Sequence, residues 1–194
     1  MGTGSSGSKR TSRGSRVPAP SVLRIGHRPG RDPRLTTHLA LAARAFGAAR
    51  MYLHPPDPEL AARIAHVADG WGGGFEVVGA PDWRRVVREH PGTVVHLTMY
   101  GLPLERVLPR LRRGAPLLFV VGGAKVPADL YRLAGLNVAV GHQPHSEVAA
   151  LAVALSRLGG VPGPSPLPGA RRRIVPTARG KRMRNRGEDG RWSR

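Results

Sequence analysis

The sequence predicts an α/β domain with a mostly parallel sheet flanked by helices. Short β-rich runs recur between Val22 and Gly141, and a segment with helical spacing or helix caps separates each run from the next. Hydrophobic residues make up 40% of the 194 residues but aromatic residues only 5%, so one domain's core must be filled by aliphatic side chains and alanine.

The first run is "VLRIG" (22–26), followed by "TTHLALAARAFG" (36–47), a helix capped by threonine and closed by Gly47. "RMYL" (50–53) precedes "DPELAARIAHVADGW" (57–71), where Asp57 is a cap and Pro58 takes the first helical position. "FEVV" (75–78) leads to the helical "PDWRRVVREH" (81–90), and "TVVHLT" (93–98) leads to "PLERVLPRLRRG" (103–114). "PLLFVV" (116–121) is followed by "PADLYRLAG" (127–135), and "NVAVG" (137–141) by a helix over 144–158. Pro144 is expected to start that last helix. Its apolar stripe is Val148, Leu151, Ala152, Leu155 and Leu158, and Gly159 and Gly160 end it.

This organisation predicts four segments. Residues 1–21 read as a disordered basic arm, residues 22–160 as the α/β domain, and residues 183–194 as a disordered tail. Between the last two lies 161–182, a Pro/Gly linker "VPGPSPLPG" with a short basic extension in which Ile174 and Val175 form one short strand.

Charge narrows the function classes. Lys and Arg number 31 against 12 Asp and Glu, a net charge of +19 with a pI near 11.9. Four bases and no acid lie in 1–21, a net +8 lies in 170–194, and the middle of the chain is itself basic. Such a molecule favours a phosphate-rich partner, and a nucleic acid is the leading expectation. The chain has no cysteine, hence no disulfide or thiolate metal site. No stretch reaches the roughly 20 apolar residues of a membrane helix, which fits a cytoplasmic protein without a membrane partner. His142 and His145 lack a third ligand, so no metal is expected. "GWGGGF" (70–75) breaks the spacing of a dinucleotide loop, and neither a phosphate-binding P-loop nor a nucleophile elbow is present.

Ligands of open parallel sheets bind beyond the carboxyl ends of strands. Three polar or glycine-rich loops follow strands here: "HLTMYGL", "GGAKVP" and "GHQPHSE". Glycine at 122, 123 and 141 lets a ligand approach the backbone closely. Around 141–147 the polar groups crowd a helix mouth, where they either cap unpaired N–H groups or reach a ligand. A second cluster, His27, Arg28, Arg31, Asp32 and Arg34, sits between a strand and a helix that carries Arg44. Arg44 shares a face with Ala40, Leu41 and Ala48. It either snorkels to solvent or presents its guanidinium to a phosphate or a reacting hydroxyl.

Taken together, "LRIGHRPGRDPRLTTHLALAARAFGA", "VHLTMYG", "VGGAKVP", "NVAVGHQPHSEVAALA" and "RRIVPTARGK", in that order, resemble the archaeal tRNA ribose 2′-O-methyltransferases that modify cytidine 56 in the T-loop, members of the SPOUT superfamily. The likeness spans roughly residues 22–182. It implies a deep C-terminal trefoil knot, S-adenosylmethionine as methyl donor, tRNA as substrate and a homodimer with the active site near the subunit interface. The cofactor pocket maps onto Leu97, then Gly122, Gly123, Ala124, Lys125 and Val126, then Val140, Gly141, His142, Gln143, Pro144, His145, Ser146 and Glu147. Arg44 matches the arginine of the first superfamily motif and is the implied catalytic residue. It would act by holding the hydroxyl and a phosphate while stabilising alkoxide charge, since an arginine is a poor base. His27, Arg28, Arg31 and Arg34 are expected to contact RNA. The chain departs from the family where Ala124 replaces an acidic residue and His142 replaces an asparagine. A non-catalytic basic RNA-binding homologue, or a 2′-O-methyltransferase of another RNA, are the alternatives.

Overall fold

The computed structural model describes residues 18–31, 33–123, 125–161 and 163–193. Most of the arm expected over 1–21 lies outside the described residues; Ser21 already opens the first strand. The domain strands are β1 (Ser21–Ile25), β2 (Arg50–His54), β3 (Glu76–Gly79), β4 (Thr93–Pro103), β5 (Leu117–Gly122) and β6 (Leu136–Ala139). The helices are α1 (Pro33–Ala45), α2 (Pro58–Trp71), α3 (Trp83–Glu89), α4 (Leu104–Leu111), α5 (Leu130–Leu133) and α6 (Glu147–Gly159). The strands form one sheet in the order β3-β2-β1-β5-β4-β6, and every pair is parallel.

Side-chain alternation builds a core on each face of the sheet. Val22, Met51, Leu53, Val95, Leu97, Phe119, Val121 and Val138 pack with Leu39 and Ala43 of α1, Leu60 and Ile64 of α2 and Leu151 and Leu155 of α6. The intervening Leu23, Ile25, Val94, Leu118 and Val120 meet Trp83 and Val87 of α3 and Leu130 of α5 on the other face. The cap anticipated from sequence is in place at α2, where Asp57 accepts from the Leu60 N–H at 2.9 Å.

The strand order reverses beside β1. Strands β2 and β3 extend to one side of it, whereas β5 and β4 lie on the other. The carboxyl ends of β1, β5 and β4 therefore flank the crevice where ligands of open parallel sheets bind. Strand β4 is irregular there. It pairs with β6 through Leu97 and again from Leu102, so residues 98–101 bulge out. Gly101 is required at this bulge, because a Cβ would overlap the backbone of Asn137 and Val138.

Three expectations are corrected. Threonine does not cap the first helix: α1 begins at Pro33, so Thr36 and Thr37 lie inside it. Pro144 does not start the last helix: α6 begins at Glu147, and Ser146 is its cap, accepting from the Val148 N–H at 3.2 Å. The tail from residue 183 is not unstructured. Met183–Asn185 forms β8, antiparallel to β7 (Arg172–Ile174), and Arg186 bridges to Trp192. Arginine dominates both strands, which hides the alternation that marks a hairpin. The Arg173 guanidinium stacks 4.8 Å over the Trp192 ring and holds the end of the chain.

Candidate active site

One cavity of about 390 Å³ opens at the carboxyl ends of β4, β5 and β6, a size within the roughly 300–1,000 Å³ usual for small-molecule sites. The loops after β4, β5 and β6 enclose it. Leu97 through Tyr100 form one wall, Gly122, Gly123 and Val126 a second, and Pro144, His145, Glu147 and Ala150 a third. His96 and Tyr131 close it from the β4–α5 side. The β5 loop turns so tightly that a Cβ on Gly122 would overlap Val126 Cγ1, whereas Gly123 has open space at that position.

Glu147 is the only acidic side chain on this lining among the described residues. Its position in the first turn of α6 suits the helix dipole, and a cation fixes it from below. Arg24 of β1, only 1% exposed, donates from Nη1 to Glu147 Oε1 at 3.0 Å. The β6 loop is tied across to the β4 bulge where His142 Nε2 donates to the Gly101 carbonyl at 3.2 Å. Beneath the cavity, His96 Nδ1 lies 2.9 Å from Asn137 Oδ1, and Thr98 Oγ1 lies 3.2 Å from the Tyr131 hydroxyl. Burial pulls the His96 pKa below its ordinary value, against the opposing effect of its bond to Asn137.

Of the residues expected at the cofactor pocket, the structure brings together Leu97, Gly122, Gly123, Val126, Pro144, His145 and Glu147. Lys125, Val140, Gly141, His142, Gln143 and Ser146 belong to the same loops but do not line the cavity, and Ala124 lies outside the described residues. His96, Thr98, Met99 and Tyr100 belong to the "HLTMYGL" loop expected to meet a ligand, but only Leu97 of that loop was assigned to the pocket, and Val121, Tyr131 and Ala150 were not anticipated.

The structure corrects the expectation that His27 contacts RNA. It is 1% exposed and locked between Thr36 Oγ1, 2.8 Å from Nδ1, and Asp57 Oδ2, 2.9 Å from Nε2. Its role is to tie the loop after β1 to α1 and α2. The N–H of Leu60 first, and His27 second, hold the Asp57 carboxyl below the usual carboxylate range. Arg28, Arg31 and Arg34 are exposed around that loop, as a nucleic-acid contact requires.

Arg44 is not brought to the cavity of its own chain. It sits in the last turn of α1, at the amino-terminal edge of the sheet, where Ala49 donates to the Pro20 carbonyl just ahead of β2. Its Nη2 donates to the Gly72 carbonyl at 2.6 Å and closes the end of α2. Burial lowers its pKa from the ordinary arginine value.

Residues 71–184 match the family described as tRNA ribose 2′-O-methyltransferase, aTrm56. The chain belongs to this family. The tRNA (cytidine(56)-2′-O)-methyltransferase of Archaeoglobus fulgidus is 46% identical over 162 residues, covering 84% of this chain and 96% of that protein. Enzymes of the same name from Thermococcus kodakarensis and Methanopyrus kandleri are each 47% identical over 171 residues, and 95% and 96% of their lengths are covered. Among solved structures, an AdoMet-bound rRNA methyltransferase from Sinorhizobium meliloti has a TM-score of 0.55 at 18% identity, over 74% of this chain and 57% of that one. The A. aeolicus TrmH/SpoU tRNA modifying enzyme has a TM-score of 0.53 at 13% identity, over 75% and 76%. Identities this low show a common fold.

For a member of this tRNA ribose 2′-O-methyltransferase family, the lining suits S-adenosylmethionine. Leu97, Val121, Val126 and Ala150 provide apolar surface that suits a base, the open backbone at Gly123 allows close approach, and Glu147 puts a carboxylate, opposite in sign to a sulfonium, on the lining. Among the described residues no group of three His, Cys, Asp or Glu side chains is placed to hold a metal ion, and no helix is long and apolar enough to cross a membrane.

Proposed function

We propose that this chain methylates the ribose 2′-hydroxyl of cytidine 56 in tRNA, with S-adenosylmethionine as donor. One observation carries the reading: a cavity walled by the β4, β5 and β6 loops, in a chain 46–47% identical to enzymes bearing that name over nearly their whole length. When bound, S-adenosylmethionine supplies a methyl group already activated by its sulfonium. The chain's own residues contribute position. Gly122 and Gly123 let the backbone grip the ligand, Arg24 holds Glu147 still, and the exposed Arg28, Arg31 and Arg34 engage phosphates near the target. The β7–β8 hairpin adds Arg172, Arg179, Lys181 and Arg182 to the basic surface.

The same reading includes a homodimer in the cytoplasm. Arg44 in one copy lies across the sheet from its own cavity, so it serves catalysis from the neighbouring subunit. The trefoil knot belongs to this reading too, as the family resemblance implies.

The test is transfer of labelled methyl from S-adenosylmethionine to unmodified tRNA, followed by mass mapping of the nucleosides. Label on the ribose of cytidine 56 supports the reading. Label elsewhere favours a methyltransferase of another target, and tRNA binding without any transfer favours a non-catalytic binder.

A further inference from the structure

His96 carries a fixed proton and a free lone pair at the cavity. Asn137 decides this. Its amide lies 2.9 Å from the Tyr131 carbonyl, and a carbonyl only accepts, so the atom facing it is Nδ2. Asn137 Oδ1 therefore faces His96 Nδ1 at 2.9 Å, and that nitrogen must be the donor. The Tyr131 ring, 4.8 Å away and edge-on at 82°, blocks rotation of the imidazole. Nε2 is left with no partner among the described residues, on a side chain that lines the cavity yet is 1% exposed.

We propose that His96 Nε2 accepts a hydrogen bond from an N–H or O–H of the nucleoside half of S-adenosylmethionine, a role that rests on the methyltransferase reading of this cavity. Two features select that half of the cofactor. The groups on its side of the sheet are apolar and aromatic (Val120, Leu130 and Tyr131), which suits a base and its ribose rather than the charged amino-acid end. A lone pair attracts the adenine amino group or a ribose hydroxyl and repels a carboxylate. Holding the imidazole neutral is useful here, because a protonated Nε2 would become a donor facing a donor; the depressed pKa of His96 is consistent with this.

The test uses the full chain with its 8 histidines labelled with ¹⁵N, observed by NMR at neutral pH without ligand and with saturating S-adenosylhomocysteine. The free protein is expected to show His96 protonated at Nδ1 and bare at Nε2, with the Nε2 resonance moving toward the hydrogen-bonded position on binding. Calorimetry of His96→Asn, which keeps a donor toward Asn137 and removes Nε2, is expected to give about tenfold weaker binding, the size of one lost hydrogen bond. Analogues of S-adenosylhomocysteine that are N6-dimethylated, 2′-deoxy or 3′-deoxy identify the donor: the matching analogue loses affinity in the wild type but not in His96→Asn. A protonated Nε2 in the free protein, a resonance that does not move, or a variant binding within about twofold overturns the inference while leaving the function intact. Wild-type protein that binds no S-adenosylhomocysteine overturns both.

Discussion

Arg24 and Glu147 are 123 residues apart in sequence and 3.0 Å apart in the fold. The pair joins the central strand to the first turn of α6, and its two members are unequally enclosed: the arginine side chain is 2% exposed and the glutamate 21%. That asymmetry sets the cost of breaking it. Glu147→Gln leaves a buried guanidinium without its counter-charge and is expected to lower stability by about 3 kcal/mol, as for other broken buried pairs. Arg24→Met leaves a carboxylate that still reaches water and is expected to cost less, about 1–2 kcal/mol. Urea unfolding of the two variants checks the order, and equal or reversed costs contradict it.

Arg44 gives a test of the dimer. Arg44→Ala is expected to abolish turnover and to leave S-adenosylmethionine affinity within a few-fold, because the side chain does not line its own cavity. If the arginine serves the neighbouring subunit, mixing Arg44→Ala with a cavity-dead Gly122→Val chain restores activity, since the mixed dimer rebuilds one complete site. Titrating one inactive variant against the other measures this, and no recovery at any ratio places the arginine elsewhere in the mechanism.

Acid should weaken the fold before any carboxylate titrates. His96 and His90 both have pKa values depressed chiefly by burial from the ordinary 6.5. The unfolded chain therefore takes up their protons first as pH falls, and their contribution to stability, complete above 6.5, is lost as pH drops through the folded values. The thermal midpoint is expected to fall between neutral pH and pH of about 5, and His96→Asn to flatten that slope without removing it, because His90 remains. Melting curves across this range check it; an unchanged slope in the variant rules out His96 as a contributor.

The exposed arginines beside the β1 loop are expected to act through phosphates. Arg31→Ala combined with Arg34→Ala should weaken tRNA binding in a salt-dependent way, reducing the slope of log K against log salt by about two, one for each phosphate left without its arginine. Binding isotherms at several salt concentrations measure it. An unchanged slope means that RNA approaches another face, with the β7–β8 hairpin the next to test.

Much of the fold is legible in the sequence because the relevant signals are local. Strand and helix alternation, the Asp57 cap and the glycine loops at 122–123 and 141 all follow from neighbouring residues. The rest depends on chain segments far apart. Arg24 reads as an ordinary polar residue in a strand until Glu147 is placed over it. His96 looks like core because its partners, Asn137 and Tyr131, come from another strand and a one-turn helix. Arg44 looks like a site residue by its motif, but helix length and direction carry it to the far edge of the sheet. His27 sits in a basic loop, and only the approach of Thr36 and Asp57 buries it.

The most direct measurement compares two tRNA transcripts that differ by one oxygen, the parent and a version with 2′-deoxycytidine at position 56, each incubated with this protein and labelled S-adenosylmethionine. Label entering the parent and not the deoxy transcript is the expected result. Equal labelling of both, or of neither, contradicts methyl transfer to that hydroxyl.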